Sequence, residues 1–375
     1  MTLPTRLIQS VRPHASAGLL GGAAVVAAVF AASPFLLPDV STRLGVPLAV
    51  TGLLSTFQVA TFAVAAFLAG RLFRPSRMFH FLGLALVAMA CFAAALTTDF
   101  AVLLATRLLS GLGLGLLTWI AWAEAMRFRT GLFEVAAVAP FTAVIASPVW
   151  GWLIGLGGYR LIFAVLGVVA LAAYLLPVDF GDLPRIGRSV SGSKSNRLLL
   201  VALLVTSMGG SAVFIFSAAA GVEVHGLTPL AVSWGLSINA LTGFLATRLR
   251  ATTRRAGIWM GFTALSALVL GTVGSPWVFF TVMVVWGFAF WMAIPAVFIL
   301  LADKSLTPSE RVGDAQAMMA LGRVAGPILG GIALGAGQFE RLSLVGGVVM
   351  IMAAAGVATV ARYRSRPSGA ASSVL

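Results

Sequence analysis

The sequence predicts an all-α membrane protein, with twelve transmembrane helices in two six-helix bundles. Three observations carry this expectation. Hydrophobic residues make up 60% of the chain and charged residues only 10%, and the mean hydropathy is +1.03, which leaves too little polar surface for a water-soluble globule. Twelve apolar runs come near the ~20 residues needed to cross the hydrocarbon core of a bilayer. The segments between them alternate between rich and poor in Lys and Arg, the signature of a fixed orientation.

The composition also excludes other classes. Cys91 is the one cysteine, so there is no disulfide framework, and His14, His80 and His225 are too scattered to form a metal-ligand set. No metal, cofactor or catalytic residue is expected, and the chain does not read as an enzyme. A net charge of +14 would suggest nucleic acid for a soluble protein, but here it sits in short loops, so no such partner is expected.

Residues 1–14 carry Arg6 and Arg12 without a cleavage site after a short apolar core, which predicts a cytoplasmic tail ahead of a first, anchoring span. Spans follow near 15–37, 47–70, 78–97, 100–123, 134–156 and 159–177. The polar stretch 178–197, with Gly181, Pro184, Arg185, Arg188 and Lys194, predicts a cytoplasmic linker between bundles at 1–177 and 198–375. Six further spans lie near 198–221, 228–247, 256–273, 276–301, 313–336 and 341–362. With both termini cytoplasmic, 20 of the 25 Lys and Arg residues fall on the inner side, and the outer loops hold only Arg43, Arg160 and Arg341. The expected location is therefore multi-pass in a bacterial inner (cell) membrane, as a monomer in contact with lipid.

The halves repeat. Span 2 opens as PLAVTGLLS from Pro47, and span 8 opens as PLAVSWGLS from Pro229, each proline at a helix start where its missing N–H does no harm. Ser147, Pro148 and Gly151 of span 5 are answered by Gly326, Pro327 and Gly330 of span 11. Span 4 carries Arg107, Gly111, Gly113 and Gly115 in the pattern R-x-x-x-G-x-G-x-G. Gly70, Arg71, Leu72, Phe73 and Arg74 after span 2 approximate G-x-L-x-D-R-x-G-R-R, with Arg74 where Asp is expected; Gly243 to Arg248 after span 8 is a second, equally acid-less copy.

With these motifs the chain resembles the major facilitator superfamily of secondary transporters along nearly its whole length. The resemblance implies alternating access between two bundles around a midplane cavity. It also implies a structural or coupling role for Arg107. The motif's Asp, and with it the partner for a gating ion pair, is absent from both copies. The G-P-x-x-G-G motif of the family's drug/proton antiporters is partial in span 5, where Ser147 and Trp152 replace glycines, and complete only in span 11.

Candidate residues follow from polarity within apolar spans. Gln58, Asn239, Trp119, Trp150, Trp286 and Trp291 are candidates for a substrate cavity, although the amides could equally bond between helices. Arg107 and Arg323 are charges inside spans, where a guanidinium should face protein or a water-filled space. Glu124 and Asp314 end spans and are the candidates for proton coupling; a solvated helix-end charge is the plainer reading of both. Gly70, Pro148, Gly326 and Pro327 are candidate gating or hinge positions.

The leading functional expectation is proton-coupled efflux of a small amphiphilic or aromatic molecule. A carrier for a small organic anion using the buried arginines is the alternative within transport. A non-transporting sensor or lipid scramblase is the alternative of another class.

The orientation can be tested directly. In a Cys91→Ala background, single cysteines at Ser193 and Thr252 should react with an impermeant thiol reagent only from the cytoplasm, and one at Ser275 only from outside. Labelling of Ser193 and Ser275 from the same side would remove the twelve-span topology.

Overall fold

A backbone that crosses a bilayer must satisfy its own N–H and C=O groups, and an apolar run does so by coiling into a helix. The computed structural model describes residues 15–125, 129–179, 194–249, 252–302, 308–335 and 338–365, and their regular structure is helical throughout. The tail with Arg6 and Arg12, most of the predicted linker, Arg127 and Lys304 lie outside the described residues.

The helices in order are α1 (Ala17–Leu44), α2 (Leu48–Thr51), α3 (Leu53–Leu72), α4 (Arg77–Leu96), α5 (Phe100–Ala125), α6 (Arg129–Tyr174), α7 (Lys194–Phe214), α8 (Ser217–Glu223), α9 (Pro229–Thr247), α10 (Ala256–Leu270), α11 (Pro276–Ala302), α12 (Pro308–Leu334) and α13 (Phe339–Ser365). Among the described residues, ten stretches are long and apolar enough to cross a membrane. Two facts relate that number to the twelve expected spans: α6 holds spans 5 and 6 on either side of a break at Gly158, and α10, at 15 residues, is short. Span 7 is not one helix, since α7 ends at Phe214 and the short α8 begins at Ser217.

The helices form two compact units. The first holds α1 and α3 to α6, and the second holds α2 and α7 to α13.

In the first unit α5 is the central helix, because its alternate glycines let two neighbours approach at once. A Cβ on Gly111 would meet Thr61 and the Gln58 carbonyl, and one on Gly115 would lie 2.5 Å from the Phe62 carbonyl oxygen, so both face α3. A Cβ on Gly113 would lie 2.6 Å from the Gly83 carbonyl oxygen on α4. Helix α6 packs on α1 and α4, and the indole Nε1 of Trp150 donates to the Ala28 carbonyl at 3.2 Å.

The break in α6 has a specific cause. Gly158 takes φ 67°, ψ −160°, a conformation that an L side chain rarely adopts. Tyr159, the next residue, starts a fresh helix with an unsatisfied amide. The Asp39 carboxylate of α1 accepts that amide at 2.7 Å and also pairs with Arg43 Nε at 3.0 Å. The Tyr159 hydroxyl donates to the Thr97 carbonyl at 2.8 Å beyond α4. Prolines do not interrupt the helices: α6 runs through Pro148 and α12 through Pro327. The hinge expectation at those two prolines therefore finds no break there.

The second unit uses the same devices. Helix α12 packs on α7 through Gly322, Gly326 and Gly330, where added Cβ atoms would meet the carbonyls of Leu204, Met208 and Ala212. Thr228 caps α9 by accepting from the Ala231 amide at 3.2 Å, with Pro229 at the first turn as expected. Beyond α8, the buried His225 ring joins two chain turns: Nε2 lies 2.7 Å from the Leu270 carbonyl oxygen, and Nδ1 lies 2.8 Å from that of Ser275.

Asp39 and Gly158 should therefore carry measurable stability. Asp39→Ala should cost about 0.5–2 kcal/mol, the range for a lost helix cap. Gly158→Ala should cost about 1–3 kcal/mol for a backbone conformation that is essentially glycine's alone, with more from displacing Arg43, whose guanidinium occupies the space a Cβ would need. Thermal unfolding of the detergent-solubilised protein reads both, and wild-type midpoints would contradict this account of the break.

Candidate functional site

The two arginines inside spans have opposite fates. Arg107 is 2% exposed in the interior of the first unit. Its guanidinium carbon lies 4.3 Å from the centre of the Phe163 ring, and it is within hydrogen-bonding reach of the Cys91 thiol. Nε and Nη2 have no hydrogen-bond partner. The ring face supplies a cation–π attraction in place of a carboxylate. In this structure Arg107 is enclosed between α5, Cys91 of α4 and Phe163 of α6.

Arg323 is accessible. At about 100° per residue, the exposed apolar residues Leu321, Ile328 and Ile332 form one stripe of α12, and Arg323 projects from the opposite side. Gln316, two turns earlier, shares the Arg323 direction and is also exposed. The stripe suits lipid; the Arg323 face must meet water or a polar molecule, because a guanidinium in hydrocarbon is costly. Asp314 lies nine residues before Arg323, which turns it to the stripe side of the helix, where it is exposed. It does not face Arg323. Glu124 is 5% exposed near the C-terminal end of α5.

The amides bond to neighbouring helices. Gln58 is 1% exposed and its Nε2 donates to Ser110 Oγ at 3.0 Å. Thr61 Oγ1 donates to the Leu108 carbonyl at 2.9 Å. In the second unit Asn239 Nδ2 donates to the Met283 carbonyl at 3.0 Å, and Gly287, like Gly111, leaves room for the facing amide residue's backbone and for a threonine, here Thr242. Both pairs are the same joint in the two halves, a helix with an amide and a threonine laid against a glycine. The sequence left open whether Gln58 and Asn239 touch substrate or neighbouring helices, and the hydrogen bonds found are to neighbouring helices.

Most candidate tryptophans pack as well. Trp150 is buried against α1, and Trp286 is buried with its ring 5.4 Å from that of Phe214. Trp119 lies against Gly70 and Trp291 against Gly243, so each loop motif has its glycine beside an indole. Both rings remain half-exposed. The acid-less motifs also share a substitute contact: Arg71 stacks on Phe67 at 3.6 Å and Arg248 on Phe244 at 4.8 Å, each reaching back one turn. Two cavities of the second unit, of about 220 and 710 Å³, lie toward one end of α13 and include none of the candidate residues.

Sequence reasoning missed Gln316 as the companion of Arg323, although the seven-residue spacing was there to be read. It had no signal for Phe163 as the cover of Arg107, since that contact joins distant spans.

Residues 18–330 match the family described as the Major Facilitator Superfamily. The fold is similar to a bacterial homologue of the human lysosomal transporter Spinster in an inward-facing and occupied conformation, with TM-score 0.71, 15% identity, and coverage of 94% of this chain and 98% of that one. It is similar to a POT family transporter in complex with a thioalcohol-conjugated peptide, with TM-score 0.71, 12% identity, and coverage of 93% and 96%. It is also similar to the human organic anion transporter MFSD10 (TETRAN), with TM-score 0.65, 15% identity, and coverage of 91% and 98%. At these identities the likeness is one of fold. No curated protein matches the sequence.

The packing account separates glycines that look alike in the sequence. Gly111→Ala and Gly287→Ala each drive a methyl onto a facing carbonyl and should destabilise the protein by roughly 1–3 kcal/mol or more. Gly70→Ala should be tolerated, because its methyl would sit 3.5 Å from the Trp119 ring. Monodispersity and melting temperature of the three variants check this, and equal behaviour would refute it.

Proposed function

The chain belongs to the Major Facilitator Superfamily and is a transporter, not an enzyme; from that premise we propose that it is a secondary carrier moving a small organic anion by alternating access. One observation supports this reading above the others: Arg323 is an accessible, permanently charged guanidinium in the middle of a transmembrane helix, turned away from the apolar stripe of that helix. It offers a planar set of donors that matches a carboxylate bidentately. Gln316 on the same face adds a second hydrogen-bonding group. A structural neighbour is named an organic anion transporter, which is consistent with this substrate class on the same fold.

Efflux of a neutral or cationic amphiphile, driven by protons, is the second reading. The half-exposed Trp119 and Trp291 support it, since each retains accessible ring surface. In either case Glu124 is the better coupling carboxylate of the two candidates, being buried within the membrane-spanning part of its unit, whereas Asp314 is exposed on the stripe side of α12. The transporter is proposed to work as two six-helix bundles joined by the 178–197 linker, as a monomer with both termini cytoplasmic.

Arg323 variants in proteoliposomes separate the readings. For an organic anion, Arg323→Gln should weaken binding by about 1.5–3 kcal/mol, the scale of a charged hydrogen bond, and Arg323→Lys should recover part of it. For a neutral or cationic substrate, Arg323→Gln should leave affinity unchanged and alter only the pH dependence of transport or the folding. If Glu124 carries the coupled proton, Glu124→Gln should abolish uptake or efflux driven by a pH gradient while leaving substrate exchange at equilibrium intact. Gradient-driven flux at the wild-type rate in that variant would remove Glu124 from coupling.

A further inference from the structure

The second unit carries a lateral groove that the transport reading does not use. Its floor is made of small residues where α7, α12 and α13 meet: Gly209 and Ala212, Ala333, and Gly346. Its mouth is formed by Ile332 and Val345, both exposed. The groove holds about 220 Å³ and its walls are almost wholly apolar. Along α13 it runs from Arg341 to Val349, roughly 12 Å at ~1.5 Å per residue. That is most of one leaflet's share of a hydrocarbon core about 30 Å thick.

At its Arg341 end the groove opens onto a second, wider cavity of about 710 Å³, with Arg341 and Val345 lining both. This one is polar. It contains Gln338, Glu340 and Arg341 at the start of α13 and Glu223 at the end of α8. A narrow apolar slot of leaflet depth therefore ends on a shelf with one guanidinium and two carboxylates.

We propose that the groove and shelf together hold one phospholipid of the surrounding bilayer, with a zwitterionic, ammonium-bearing headgroup. One acyl chain lies in the slot between α7, α12 and α13. The phosphate meets Arg341, and the ammonium meets Glu340 and Glu223. Charge decides the headgroup. The shelf carries one positive and two negative side chains, so it repels a purely anionic headgroup beyond its phosphate but complements a phosphate followed by a cation. Partial desolvation also pushes the Glu223 carboxyl up from its ordinary range, and an adjacent ammonium favours its charged form. A primary ammonium, with three N–H donors, suits two carboxylates better than a quaternary one.

Native mass spectrometry on the full chain, released from nanodiscs containing equal parts of phosphatidylethanolamine, phosphatidylglycerol and phosphatidylcholine, tests this. The wild-type protein should retain one phosphatidylethanolamine in preference to the other two. Arg341→Gln should lower that retention by about tenfold, the scale of one hydrogen bond to a charged group. Glu340→Gln combined with Glu223→Gln should remove the preference over phosphatidylglycerol while retaining a bound lipid. Val345→Trp plugs the slot from an exposed position, so it should release the lipid from a protein that remains monodisperse. Equal retention of all three lipids by the wild-type protein would overturn the proposal, as would retention that Arg341→Gln and Val345→Trp both leave unchanged. A wild-type dimer that Val345→Trp converts to a monomer would assign the groove to a second copy of the chain and overturn it too.

Discussion

The close approach of helices at glycine is the constraint on which the rest of this structure depends. Lipid is as apolar as leucine, so burial in the membrane gives helices little reason to associate, and dispersion contacts with short hydrogen bonds must hold them. Those forces act only at short range. Gly111, Gly113 and Gly115 put α5 within contact of two neighbours at once, and Gly322, Gly326 and Gly330 do the same for α12 on α7. The amides of Gln58 and Asn239 reach their partners because the backbones are already that near. A methyl at any of these joints moves a helix, and with it every hydrogen bond the joint supports.

Charge follows from the same packing. Arg107 sits among close-packed helices where water does not enter, and its charge is met by an aromatic face. Arg323 lies one residue from a packing glycine, yet its rotation on α12 turns it away from the apolar stripe and leaves it exposed. The arginines after spans 2 and 8 solve a similar problem at the membrane edge, each stacking on a phenylalanine of its own helix.

Much of the fold was legible because lipid imposes a simple grammar. Apolar length marked the spans, and the PLAV repeats at Pro47 and Pro229 marked the halves. What the sequence did not reveal was tertiary. Spans 5 and 6 read as two helices, and nothing in the letters said that Gly158 alone would separate them or that Asp39, more than a hundred residues earlier, would cap the second. Span 7 read as one helix, but its backbone breaks between Phe214 and Ser217. The site was less legible than the fold. Tryptophans and amides in apolar spans look alike whether they bind a ligand or a neighbouring helix, and only their partners tell them apart. The motif around Arg107 hinted at a structural role, but the Phe163 ring that meets it and the rotation that leaves Arg323 exposed were not legible in the letters.

The break at Gly158 has one more consequence, for how the chain tolerates change. Most connections between membrane helices have slack, and a tag or a stray residue added there is absorbed in water. Here a single residue separates two helical runs, its space is filled by the Arg43 guanidinium, and the next amide is already claimed by Asp39. An inserted residue would have nowhere to go except into the register of the helix that follows, turning every side chain from Tyr159 to Tyr174 by about 100°. At this junction the length of the chain is fixed by its contacts.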